Sequence, residues 1–153
     1  MKHWLSVVAV LVALLLPGQQ VSASSDAFEQ VDLDLFIEDA TRKSKAAGKK
    51  VITLAAPVRF HASLKRHPEV REMSYVYTAL QLGGVDPLPV VEHRMFIESK
   101  GGRIMPVYVE KEAVGWINDR LKVDQQARFL GYHLFNYEKG PAILVVGFDQ
   151  AAD

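Results

Sequence analysis

The chain has 153 residues, no cysteine, and 18 basic against 18 acidic side chains, so its formal net charge is zero. The absence of cysteine excludes disulfides, thiol catalysis and thiolate metal ligation. The charge balance gives the whole molecule no pull toward nucleic acid or anionic lipid, and nucleic acid is not expected as a partner.

The chain opens with Met1-Lys2-His3-Trp4, then an apolar run from Leu5 to Leu16 broken only by Ser6. Pro17, Gly18 and a polar stretch ending Val21-Ser22-Ala23 follow. This is the layout of a secretory signal peptide, and the apolar run is well short of the roughly 20 residues that span a bilayer. Residues 1–23 are therefore expected to be cleaved near Ala23, leaving a mature chain in the periplasm that begins at Ser24 and has no membrane span. Residues 24–33 read as a flexible leader, 34–149 as a single domain and 150–153 as a tail. A domain of that size holds its own core.

Residues 34–47 read as an amphipathic helix with Asp34 as its N-cap and Gly48 as its stop. Phe36, Ile37, Ala40 and Ala47 recur at helical spacing, and Glu38–Arg42 and Asp39–Lys43 are favourable i,i+4 pairs. Six acids and no base occupy residues 24–41, whereas 42–71 carry nine bases and one acid, Glu69. Helix electrostatics account for the first switch better than a basic binding patch does. Lys50 to Phe60 reads as a first strand, with Pro57 marking a bulge, bend or edge. Pro68 suits the start of a second helix, with Val70, Met73, Tyr77 and Leu80 as its apolar stripe and Gly83-Gly84 as its end.

Residues 90–110 read as a hairpin. Val91, His93, Met95 and Ile97 alternate with Glu92, Arg94, Phe96 and Glu98. A three-residue loop, Lys100 to Gly102, pairs Ile97 with Met105, Met95 with Val107 and His93 with Val109, giving one continuous apolar face. A short helix is expected over 112–121, then strands at 125–135 and 141–148 joined by a loop at Asn136–Gly140. The run Ala142-Ile143-Leu144-Val145-Val146 marks the last strand as central.

The order strand, helical insertion, hairpin, helix, hairpin resembles the OB-fold. The segments that carry the resemblance are Val91 to Val109, the helix to Leu121, and Gln125 to Phe148. Small exported bacterial OB-fold proteins are the nearest group. The fold class expected is mainly β with helices, a five-stranded OB-like barrel with an N-terminal helix and a helical insertion after the first strand. An SH3-like barrel or an α+β sheet with helices on one face would share many of these signals.

The resemblance implies a ligand face on the outward side of the 90–110 hairpin, where Arg94 opposes Tyr108, Phe96 opposes Pro106 and Glu98 opposes Ile104. Helices packed over that face would instead make it ordinary core. A second group of candidates is Tyr132, His133 and Tyr137, around the last hairpin, although alternation sends Tyr132 and His133 to opposite faces. The mature histidines are His61, His67, His93 and His133, and no two form a helical i,i+4 pair or an HExxH motif, so no metal is expected. His93 reads as a hydrogen-bonded core histidine. No nucleophile motif or phosphate loop is present, and no cofactor is expected. The expectation is a non-enzymatic binding or adaptor module, meeting a cell-envelope protein or a small-molecule ligand through the hairpin face. The alternatives are a hydrolase or metal-dependent enzyme centred on His133, Tyr132 and Arg128, and a component of a larger envelope assembly.

Overall fold

Apolar side chains two residues apart dominate the second half of the chain, and strands dominate the structure. The computed structural model describes residues 27–73 and 75–150. The expected signal peptide, residues 24–26 of the expected leader and residues 151–153 lie outside the described residues. In chain order come β1 (Glu29–Gln30), α1 (Leu33–Ala47), β2 (Val51–Val70), α2 (Tyr75–Leu82), β3 (Val91–Glu98), β4 (Ile104–Glu110), α3 (Lys111–Arg120), β5 (Gln126–Tyr137) and β6 (Gly140–Gln150). The six strands form one mixed sheet in the order β1-β2-β3-β4-β6-β5, and β2 also pairs with β5. Five strands thus make a ring, antiparallel throughout except that β4 and β6 run parallel. No helix among the described residues is long and apolar enough to cross a membrane.

Inside the ring, Phe60, Leu64, Met95, Ile97, Val109, Phe129, Ile143 and Val145 are buried, joined by Leu33 and Ile37 of α1 and Ile117 of α3. Each such large side chain contributes roughly 1.5–3 kcal/mol relative to exposure. A second cluster lies under α2, where Val76, Ala79 and Leu80 cover Val91, Leu134, Phe135 and Leu144. The outer surface of β5 and β6 is therefore partly roofed by this helix. Gly131 lets β5 and β6 approach closely, because a Cβ there would sit 2.6 Å from the Leu144 carbonyl oxygen.

Several expectations change. Residues 27–33 are built into the fold, with Phe28 buried, β1 paired to β2 at Val58 and Arg59, and Leu33 in the core. The N-cap of α1 is Asp32, whose carboxylate accepts from the Leu35 N–H at 3.1 Å. Asp34 lies in the first turn, and its side chain serves the β3–β4 turn. Gly48 does end the helix, with φ of 64°.

The largest correction is β2. The strand runs on to Val70, and the expected helix from Pro68 is confined to Tyr75–Leu82. Ladders decide this, since His61 to Ser63 pair with β5 and Ser63 to Val70 pair with β3. Phe60, Ala62 and Leu64 are buried in alternation, a period of two that overrides the helix start suggested by Pro68. Pro68 fits because it lies where the β2–β3 register shifts, between Arg66 and Glu69. Val70 is exposed rather than part of an apolar stripe.

Beside Pro57, β2 bends at Thr53–Ala55. The register with β5 shifts between Ile52 and Ala56, and Leu54 and Ala55 hold φ values of 57° and 54°. Two successive non-glycine residues in the left-handed region store strain of about 1–2 kcal/mol each. The β3–β4 register has Ile97 opposite Met105, Met95 opposite Val107, and His93 opposite Val109, as the apolar phase predicts. The last hairpin is tighter than expected. Asn136 and Tyr137 belong to β5 and pair with Pro141 and Gly140, so the turn is Glu138–Lys139. β6 lies between β4 and β5, in keeping with its apolar run.

Candidate functional site

Outward positions on β3 and β4 alternate with the core positions, which places Arg94, Phe96, Pro106 and Tyr108 on one surface. Phe96 is half-buried, and the guanidinium groups of Arg66 and Arg94 each lie 4.9 Å from its ring centroid. Glu69 joins the pair, meeting Arg94 at 2.9 Å and Arg66 at 3.9 Å. The Glu69 carboxyl is held below its ordinary range, first by the Arg94 hydrogen bond and then by the nearby arginine charges, against the opposing effect of burial. The Arg94 Nε is buried and has no hydrogen-bond partner among the described residues.

From this strip the surface dips into a cleft of about 410 Å³. It is lined by residues 71–73, by Tyr75 and Val76 of α2, and by Arg94, Tyr108 and Phe135. Tyr77 ties α2 to the start of β3, because its hydroxyl accepts from the Val91 N–H at 2.9 Å and donates to the Val91 carbonyl at 3.3 Å. Lys50 lies over the Tyr75 ring at 4.3 Å and over Phe135 at 5.5 Å. Tyr137 and Lys139 also line it. Burial pushes the Tyr108 hydroxyl up from its ordinary value, with Arg94 opposing. Burial also pushes Tyr137 up, reinforced by Tyr108 and opposed by Arg94. Both phenols thus keep their protons, and each can donate.

The structure brings Arg94, Tyr108 and Tyr137 into this one cleft, with Phe96 on the adjoining strip. Tyr132 and His133 lie elsewhere. Tyr132 sits beside Phe28, with ring centroids 5.9 Å apart. His133 is 8% exposed and lies under α1, with Phe36 edge-on at 4.6 Å. Its Nε2 is 2.6 Å from Asn136 Oδ1. Burial holds the imidazole below its ordinary value, against the smaller upward effect of Asn136. Arg128 pairs with Asp149 at 2.6 Å. His93 is half-buried rather than core, and its Nδ1 has no partner among the described residues. Lys50, Arg71, Tyr75 and Lys139 were not legible as site residues. They come from segments far apart in sequence, and no local pattern marks them.

A second, more polar groove of about 720 Å³ lies between residues 30–34, 61–63 and 98–100. Its Asp34 is committed to structure. Ser99 Oγ donates to it at 2.6 Å and the Gly101 N–H at 2.8 Å, and the Ser99 hydrogen bond chiefly holds its carboxyl below the usual range. The basic stretch 42–71 is likewise dispersed, with Lys43 on Asp39 and Lys65 on Glu98 and Asp124. Glu38 pairs with Arg103 instead of Arg42. Among the described residues no group of three or more His, Asp or Glu is placed to hold a metal ion. No protein-family model matches the chain, and no curated protein matches it.

Proposed function

We propose that this chain is a non-enzymatic binding module on an OB-like five-stranded barrel. It is exported by cleavage near Ala23 and works in the periplasm. Its contact surface is the outward face of the β3–β4 hairpin together with the cleft beside it. Support for the OB-like reading is the ring order β2-β3-β4-β6-β5, the parallel β4–β6 contact, and α3 between β4 and β5. The observation that carries the function is the cleft itself. It gathers Arg94, Tyr108 and Tyr137 with Lys50 and Tyr75 around an open volume of small-ligand size. A small-molecule ligand fits this geometry better than a flat protein partner, because the polar groups converge into a concavity. The hydrolase alternative needs His133 at an open site, whereas its imidazole is buried and engaged by Asn136.

Alanine at Phe96 and at Tyr108 tests the reading, measured by urea unfolding and by the ligand mass that co-purifies. Both side chains are half-buried, so each variant is expected to lose no more than about 1–2 kcal/mol, below the 3–5 kcal/mol of a core aromatic. Tyr108→Ala is expected to abolish the co-purifying mass. A core-sized loss of stability with unchanged ligand would show that the face is packing surface.

A further inference from the structure

Four cations, Lys50, Arg71, Arg94 and Lys139, line the cleft against one acid, Glu72. Resting on the reading of this cleft as a small-ligand site, we infer that its ligand is an anion carried on a planar ring, a carboxylate or an equivalent oxyanion.

Three observations converge on this chemistry. The first is the charge. Arg94 already has its carboxylate, Glu69, but Arg71 and Lys139 are exposed and form no ion pair within 4 Å among the described residues. Arg71 acts on Glu69 only at longer range, so both cations stand at the cleft without an ion-pair partner. The second is donor character. The Tyr108 and Tyr137 hydroxyls make no hydrogen bond among the described residues, and as phenols they carry their protons at neutral pH, with burial acting in the same direction. Phenol, guanidinium and ammonium groups facing one space offer many donors, which suits an oxyanion better than a cation, for which Glu72 is the one carboxylate in the lining. The third is shape. Tyr75 stands perpendicular to Phe135 at 4.9 Å, and Tyr137 lies 6.1 Å from the same ring. Phe135 is buried and Lys50 lies over Tyr75, so a planar ring would pack against the half-buried Tyr75 and Tyr137 side chains with the Lys50 ammonium beside it. The volume of about 410 Å³ lies within the usual range for small ligands.

The test uses three probes that share the naphthalene ring system and carry an anionic, a neutral or a cationic substituent: 2-naphthoate, 2-naphthamide and 2-naphthylmethylammonium. Backbone amide shifts at Tyr75, Arg94, Tyr108 and Lys139 locate binding, and titration gives affinity. Naphthoate is expected to move these signals and to bind at least about tenfold tighter than the amide, a difference of about 1.4 kcal/mol, with the ammonium weakest. Its affinity should fall as salt rises. The double variant Arg71→Gln, Lys139→Gln removes only exposed side chains without ion pairs, so it should fold normally while most of the preference for naphthoate disappears. Equal binding of naphthoate and naphthamide in the cleft would overturn the anion assignment and leave the contact surface standing. No cleft shifts with naphthoate up to about 1 mM, or shifts confined to another surface, would overturn the assignment of this cleft to an anionic ring. The contact-surface reading fails separately, through the stability and ligand content of the Phe96 and Tyr108 alanine variants.

Discussion

His133 shows how burial can dominate the behaviour of one side chain. Alternation along β5 turns it inward beneath Phe36, while Tyr132 turns outward toward Phe28. The charges facing it are Lys43 and Asp39 of α1, which act in opposite directions, and burial is the largest influence on its proton. Its folded pKa lies below the ordinary 6.5, so the unfolded chain takes up the proton more readily. Stability from this residue is therefore complete above about pH 6.5 and declines as pH falls through that window toward the folded value. Urea unfolding between pH 7.5 and 5 should show the wild type losing stability on acidification, and His133→Gln should flatten the part of that slope below 6.5. Equal slopes in the two proteins would mean that His133 is not held neutral in the fold.

Among elements, the contact between α1 and the β3–β4 turn depends on Asp34. Its carboxylate accepts from Ser99 Oγ and the Gly101 N–H, and the Ser99 hydroxyl in turn accepts from the Arg103 N–H at 3.0 Å. Arg103 reaches back to Glu38 of α1 at 2.6 Å. Asp34→Ala should destabilise the protein by about 1–3 kcal/mol, since it leaves turn donors without their acceptor. Asp32→Ala should remove only the cap, about 1 kcal/mol. Thermal unfolding of both variants distinguishes clamp from cap, and the reverse order would contradict the assignment. Asp34 was legible as an acid near a helix start but not as a tertiary partner, because its partners lie more than 60 residues away. The β3–β4 register was fully legible, since only one loop length aligns Met95, Ile97, Met105 and Val107 on one face. The far half of β2 was not. Lys65, Arg66 and His67 interrupt its alternation, and Pro68 gives a local helix signal that the β2–β3 ladder overrides.

At the scale of the whole molecule, the ring closed between β2 and β5 sends one set of side chains to a shared core and leaves the other set to be roofed or exposed. α2 roofs Leu134 and Leu144, Tyr108 packs against the margin of their cluster, and the cleft lies where Tyr75 and Val76 of α2 face Arg94 and Tyr108. The hairpin half of this site could be read from alternation, because it lies within one local unit. The Lys50, Arg71, Tyr75 and Lys139 half could not, because only ring closure and the docking of α2 bring those segments together. The most direct measurement is the native mass spectrum of protein isolated gently from its own host, alone and with excess 2-naphthoate. The account predicts a chain beginning at Ser24 with an added mass that naphthoate displaces and that Tyr108→Ala never carries. A bare chain, or an added mass that persists in both naphthoate and Tyr108→Ala, would contradict it.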